Sequence, residues 1–272
     1  MIIFLSIITN KTISMPDTFD TITLLITHYN RSNSLERLLK TFNEQQITFG
    51  GIVVSDDGSK PEHVEKLKSI ADVYNFRLIT TPKNKGLGNN INKGQDAVIT
   101  PYTLYVQEDF NPFPGYKGHL QDALGIIDER GDIDMVRFYA YFKYPYLKPY
   151  RNGFSEMMFS LWKPGYRKFH CYSDHPHLRR STFFNKFGRY AEGLKGDRTE
   201  FLMAVSFLKN KGKAMFYEDF KGLFDQLNSS DEPSTMKRSD LRQSPNPVIA
   251  FVRAIYRNIK HNYDYLRAKR IK

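Results

Sequence analysis

Thr21-Ile-Thr-Leu-Leu-Ile-Thr-His-Tyr-Asn-Arg31 is the stretch on which the fold turns. It is an apolar, β-type run that stops abruptly at a polar turn. A second such run, Gly51 to Ser55, ends in Asp56-Asp57-Gly58-Ser59. A third, Leu104 to Val106, ends in Gln107-Glu108-Asp109. Three buried strands, each delivering polar or acidic residues at its C-terminal end, are how an open α/β sheet builds a nucleotide site.

Outward from these strands the pattern alternates. Leu35, Leu38, Leu39 and Phe42 fall at helical spacing after residues 22–28, with Asn33 as the expected cap and Glu36 three residues on. After residues 51–55, Ser59-Lys60-Pro61-Glu62 reads as a capping box opening a helix through Val64, Leu67 and Ile70. A strand at 76–80, a Gly/Asn-rich turn over 84–90, a helix to about Val98 and a strand at 102–107 follow. The order predicts a mostly parallel, Rossmann-like sheet with right-handed crossovers, flanked by helices. Beyond Asp109 we expect helices around 117–129 and 201–208, strands at 134–139 and 213–217, and irregular chain over 141–180. From Gly222 to Pro247 the chain is polar, with Ser229 to Pro233 reading as a mobile loop.

Composition limits the function classes. Apolar content of 40% and aromatic content of 14% exclude a disordered chain, and 272 residues suit one domain with appendages. The lone Cys171 rules out an intramolecular disulfide and fits a reducing, cytoplasmic setting. The formal charge is +11. Seven Lys/Arg against Asp264 alone in 248–272 supply +6 of it, so the charge sits at one end and is not a nucleic-acid footprint. The apolar residues 1–9 fall far short of the ~20 that span a bilayer and lack the features of a signal peptide, and Met15 is an alternative start.

At the strand ends, Asp56 and Asp57 suit hydrogen bonds to a base or ribose, or an Asx turn made possible by Gly58. Gln107-Glu108-Asp109 suits a divalent cation bridging a diphosphate, with Asp109 the first ligand, Glu108 the second and Gln107 either contacting ribose or ligating weakly through its carbonyl. Asp197, in Gly196-Asp197-Arg198-Thr199-Glu200, suits removal of a proton from an acceptor hydroxyl, or interaction with a helix dipole.

These segments, together with Asn84-Lys-Gly-Leu-Gly-Asn-Asn-Ile-Asn-Lys-Gly94, resemble the family 2 glycosyltransferases of the GT-A fold, in order from Thr21 to Asp109 and more weakly through Phe187-Gly188 to Phe201. The resemblance implies a nucleotide-sugar donor, Mg2+ or Mn2+, and transfer to an acceptor hydroxyl with inversion, in cell-surface polysaccharide or glycolipid synthesis. It implies that Thr27 and Tyr29, with Asn30 and Arg31 beside them, line the nucleotide pocket. Asp56 or Asp57 would meet the base, Gly86 and Asn92 would lie near base and ribose, and Gln107 to Asp109 would stand in the place of Asp-x-Asp. Asp197 or Glu200 would be the catalytic base. Three positions depart from the pattern. Gln107 replaces the first acid, Asp197-Arg198 replaces Glu-Asp, and no late His is present, which leaves Asp225 or Gln226 in its place. These departures keep open a catalytically impaired nucleotide-sugar-binding protein on the same fold. A nucleotidyltransferase ranks last, because the turn at 28–31 lacks Gly.

The expected organisation is a lead over 1–20, a glycosyltransferase domain over 21–228 (nucleotide half 21–110, acceptor half 111–228), a linker over 229–247 and a basic amphipathic helix over 248–272. In that helix Val248, Phe251, Val252, Ile255, Ile259 and Leu266 recur at helical spacing between Arg253, Arg257, Lys260 and Arg267. The pattern suits either peripheral contact with the inner face of the cell membrane or packing on the domain, and the resemblance implies a carbohydrate or lipid-linked acceptor. His170, Cys171, Asp174, His175 and His177 match no zinc spacing and read as an acceptor-side loop or surface histidines.

Overall fold

The computed structural model describes residues 17–228, 232 and 246–269. Expectations for 1–16, for most of 229–245 and for 270–272 lie outside the described residues. The chain opens β1 (Asp17–His28), α1 (Ser32–Glu44), β2 (Ile47–Asp56), α2 (Pro61–Tyr74), β3 (Arg77–Ile79), α3 (Leu87–Gln95) and β4 (Tyr102–Gln107). Successive strand side chains point to opposite faces, so β1 feeds two cores. Leu24 and Ile26 join Leu35, Leu38 and Phe42 of α1, while Leu25 joins Ile91 of α3. In β4, Leu104 and Val106 take the first side and Tyr105 the second. The runs are apolar throughout because helices cover both faces.

Strands β3, β2, β1 and β4 lie side by side and parallel. Thr27 sits opposite both Ser55 and Gln107, so the three strand ends finish level. The chain winds outward from β1 to β3 and then returns to place β4 on β1's other side. The crevice at that reversal is where such sheets take ligands.

The remainder comprises β5 (Phe110–Pro112), α4 (Tyr116–Glu129), β6 (Met135–Arg137), β7 (Leu147–Arg151), β8 (Phe154–Met157), a 3-10 turn (Tyr166–Phe169), β9 (His177–Arg180), α5 (Phe183–Phe187), α6 (Gly196–Lys209), β10 (Ala214–Tyr217), β11 (Phe224–Gln226) and α7 (Pro247–Arg267). Among the described residues the main sheet runs β3-β2-β1-β4-β9-β6-β10-β8-β7, and β5 pairs with β11 apart from it. Strand β9 is antiparallel to both β4 and β6 and joins the nucleotide half to the acceptor half.

Several expectations are corrected. Residues 17–20 belong to β1, not to a lead. The stretch 141–180 is irregular only in part: β7 and β8 form a hairpin around Asn152 and Gly153, both at positive φ, and β9 lies within the main sheet. The polar stretch after Gly222 begins with β11. Ser59 does not cap α2, because its hydroxyl turns back to Asp56 Oδ1. Asn33 does not cap α1 either. Arg31 holds that position, and Glu232, expected in a mobile loop, is buried against the helix start. Its carboxylate accepts from Asn33 N (2.8 Å), Ser34 N (2.9 Å) and Ser34 Oγ (2.6 Å).

Burial alone would raise the Glu232 carboxyl pKa, but the bonds from Ser34 and Asn33 outweigh it and hold the pKa below the ordinary Glu value. A depressed folded-state pKa stabilises the fold above the unfolded pKa, and that stability is lost as pH falls through the folded value. Glu232→Ala is expected to cost about 1–2 kcal/mol at neutral pH by chemical denaturation, as for loss of a helix cap. Its deficit against the parent should shrink in acid; a constant deficit would contradict the role.

Candidate active site

Arg31, at the start of α1, crosses the crevice between the β1 and β4 ends. Its Nη1 lies 2.9 Å from Asp109 Oδ2 and 3.9 Å from Glu108 Oε1. Its Nε and Nη2 donate to the Glu232 carbonyl at 3.2 and 2.9 Å, and Nη2 also donates to Asn228 Oδ1. The guanidinium is thus fixed from both sides. Burial, and next the adjacent Asp109 charge, push the Glu108 carboxyl up to about 8 against the opposing pull of Arg31.

Asp109 Oδ2 also accepts from Gln226 Nε2 at 2.9 Å, and the Gln226 carbonyl accepts from the Tyr141 phenol at 2.8 Å. Strand β11 carries Gln226 here by pairing Gln226 with Phe110. No group of three His, Cys, Asp or Glu side chains able to hold a metal ion occurs among the described residues. The donor set fits a cation shared between one carboxylate and the oxygens of a diphosphate, the usual Mg2+ arrangement, and not a closed protein cage.

The nucleotide-side residues divide into those that face the crevice and those that build its wall. Tyr29 is half-buried at the head of the β1–α1 turn, and Gln107 is half-buried at the end of β4. Thr27 is internal, with its hydroxyl 3.0 Å from the Tyr105 phenol. Asn30, at φ +53°, ties two turns together by donating its N–H to Ser59 Oγ and accepting from Lys60 N, both at 2.8 Å. Asp56 is fully buried and accepts from His28 Nδ1 (2.8 Å), Ser59 Oγ and the Gly58 and Ser59 amides. His28 accepts from Arg31 N at Nε2, so its Nδ1 donates to Asp56. Burial works to raise the Asp56 pKa, but the His28 and Ser59 bonds hold it low.

Asp57 accepts from the Lys85 and Gly86 amides at 2.8 and 2.9 Å, and burial raises its pKa. Gly58, at φ +70°, makes the turn, and a Cβ there would lie 2.4 Å from the Lys83 carbonyl carbon. Gly86 caps α3 at φ +87°. Asn92 is buried and braces the 190–192 loop through Tyr190 and Glu192. Asp56, Thr27 and Asn92 therefore shape the pocket from behind. Lys93, in the Asn84–Gly94 segment but with no role expected of it, donates from its half-buried Nζ to the Asp56 carbonyl and Asn90 Oδ1. Burial brings its pKa down to about 8, against the charges of Asp57 and Asp56.

On the acceptor side, Asp197 lies exposed in the first turn of α6 and Glu200 one turn on. Both line a chamber of about 980 Å³. Glu200 Oε1 accepts from Asp174 N at 3.0 Å, and burial raises its pKa. A chain of contacts links the Asp109 strand end to this chamber. Phe110, next to Asp109, meets the His175 ring at 6.0 Å, and His175 adjoins Asp174, which contacts Glu200. The histidines of this segment are not surface residues: His177 is fully buried, and His170 Nε2 is buried without a hydrogen-bond partner. Tyr141, His175 and Gln226 carried no catalytic spacing. Gln226 was signalled only by the missing late His.

The sequence profile of glycosyl transferase family 2 matches residues 23–188. The chain belongs to that family, and its α/β architecture is the GT-A fold. It is 24% identical over 159 residues to the cholesterol galactosyltransferase of Borreliella burgdorferi, covering 54% of this chain and 44% of that protein, so it spans under half the relative's length. The crystal structure of S. aureus TarS 1-349 in complex with UDP-GlcNAc is similar at a TM-score of 0.61 and 17% identity, over 90% of this chain and 71% of that one. The full TarS structure is similar at 0.58 and 17%, over 78% of this chain and 37% of that one.

Proposed function

We propose that this chain moves a hexose from a UDP-sugar to an acceptor hydroxyl with inversion, in cell-surface polysaccharide or glycolipid synthesis. The observation that carries the reading is the crevice at the level ends of β1, β2 and β4. There Arg31 faces Asp109, with Asp57 and Lys93 bracing the neighbouring turns, while Asp197 and Glu200 line the chamber that His175, packed against Phe110, also lines. The similarity to a UDP-GlcNAc complex and to a galactosyltransferase supports a UDP-linked donor.

Arg31 offers fixed positive charge where the diphosphate departs, in a water-poor site where such charge counts most. Asp109 would hold Mg2+ or Mn2+ jointly with the diphosphate; when bound, the ion offsets charge on the leaving nucleoside diphosphate. Asp197 takes the acceptor proton as the hydroxyl attacks the face opposite the leaving group, with Glu200 behind it. Asp57 and Gly86 hold the loop beside the base.

The test is thermal stabilisation by UDP, UDP-GlcNAc and UDP-galactose, with and without MnCl2. A ligand at about a hundred times its Kd adds about 2.7 kcal/mol to the folded state, a clear upward shift in Tm. No shift with any of the three would refute the donor reading. The Arg31–Asp109 pair favours one second reading: if the pair stays closed, the protein binds donor without turnover. Stabilisation by UDP with no hydrolysis or transfer across an acceptor panel would identify that impaired form.

A further inference from the structure

Helix α7 is seated on the domain by its polar and aromatic side. His261 lies over Phe201 at 4.1 Å, Tyr265 meets Phe159 at 5.4 Å, and Asp264 pairs with Arg198 at 2.6 Å. The opposite side is apolar and open: Phe251, Val252, Ile255, Ile259, Tyr263 and Leu266 are all exposed. At 1.5 Å per residue, the stripe from Phe251 to Leu266 runs about 22 Å along the helix. A stripe of that size marks an interaction surface. Among the described residues no helix is long and apolar enough to cross a membrane.

The chamber holding Asp197 and Glu200 opens onto this stripe. Val252 and Tyr256 belong to both, lining the chamber and standing exposed on α7. Across from them the wall is aromatic, with Phe142, Tyr144 and Tyr166. Unsatisfied polar atoms lie on the chamber lining: His170 Nε2 and His261 Nδ1 are buried and have no hydrogen-bond partner. Burial, and next the neighbouring charges, lower their pKa values to about 3 and 4, so both are neutral and able to bond a hydroxyl. Arg253, Arg257 and Lys260 of α7 line the chamber too, Lys260 paired with Asp264 and Arg257 donating to the Tyr166 phenol, and their positive charge at the chamber mouth is complementary to anionic headgroups.

We infer that the chamber is the acceptor site and takes a membrane-borne amphiphile, its hydroxylated head at Asp197 and Glu200 and its apolar body against the aromatic wall, while the open face of α7 lies in an anionic bilayer surface. The inference rests on the glycosyltransferase reading and narrows its acceptor. A free sugar would not account for a chamber whose mouth continues into an apolar stripe, whereas an amphiphile uses both.

Two measurements on the full chain test it, with UDP stabilisation recorded on the same preparations. In the first, the protein is sedimented with vesicles of phosphatidylcholine, with or without phosphatidylglycerol. Binding should require phosphatidylglycerol, weaken with salt and fall at least about tenfold in the Ile255→Glu/Ile259→Glu double variant, whose UDP shift stays that of the parent. In the second, NBD-labelled diacylglycerol in neutral detergent is titrated by fluorescence. Saturable binding should be displaced by decyl glucoside, not by glucose, and weakened about tenfold by Val252→Asp, equivalent to 1.4 kcal/mol. Absence of vesicle or probe binding in protein that UDP stabilises overturns the inference and leaves the donor reading standing. Displacement by glucose, or indifference to Val252→Asp, also overturns it. Loss of the UDP shift in the parent strikes the donor reading instead.

Discussion

Asp197→Asn is expected to lower kcat/KM by about a hundred- to ten-thousand-fold, the range associated with losing a general base. UDP stabilisation should be unchanged, because Asp197 lies in the chamber and not in the nucleotide crevice. The amide is isosteric and sits at the exposed first turn of α6, so the fold should survive. Glu200→Gln separates the two candidates. Glu200 is held by the Asp174 amide and has a raised pKa, chiefly from burial. A base must be ionised, so if Glu200 were the proton acceptor, the acid limb of the kcat/KM profile would lie above the ordinary Glu range. It would also vanish in Glu200→Gln. With Asp197 as the base, Glu200→Gln retains that limb and loses far less rate than Asp197→Asn. A full loss in Glu200→Gln beside an active Asp197→Asn would reverse the assignment.

The second large effect is expected at Asp109. Asp109→Asn keeps an oxygen for Arg31 and Gln226 but removes the charge that would bind a divalent ion. Turnover should fall by about a hundred- to a thousand-fold, the scale for losing one electrostatic element of a transition-state site. Any stimulation by Mn2+ should disappear with it. Asp109→Ala is the harsher change, because it strands a buried guanidinium, and stranding a buried charge costs about 3–5 kcal/mol. Comparing the two variants by melting temperature and by rate separates fold damage from lost chemistry. Equal turnover by Asp109→Asn and the parent would remove both the metal and the diphosphate roles assigned to this residue.

How much of this could be read from sequence depended on range. The run Ile22 to Ile26 announced a strand buried on both faces, and Leu24, Leu25 and Ile26 are fully buried, distributed over the two cores. That the polar strand ends finish level followed from parallel order, as the register of Thr27 with Ser55 and Gln107 shows. The hairpin of β7 and β8 was legible but overlooked, since Asn152-Gly153 is a two-residue turn signal between strands. Strand β9 was not legible. Its four residues are His-Leu-Arg-Arg, and Arg179 is fully buried only because Gln95 (2.8 Å) and the Tyr190 phenol (3.3 Å) accept from it while Phe183 stacks on it. Those partners are remote in sequence, so local pattern carried no trace of them. The same holds for the division of Asp56 and Asp57 between wall and crevice, which depends on His28 and on the Lys85 and Gly86 amides.

Glu232 completes the first turn of α1 from 198 residues downstream, and its carbonyl steadies the arginine that faces Asp109. On the ribosome, β1, α1, β2 and β4 can assemble while that residue is still unmade. The nascent half-sheet therefore emerges with the guanidinium unmoored and two helix amides open to solvent. A late-synthesised residue finishes a turn laid down early, so the setting of Arg31 beside Asp109 waits on chain made after the acceptor half.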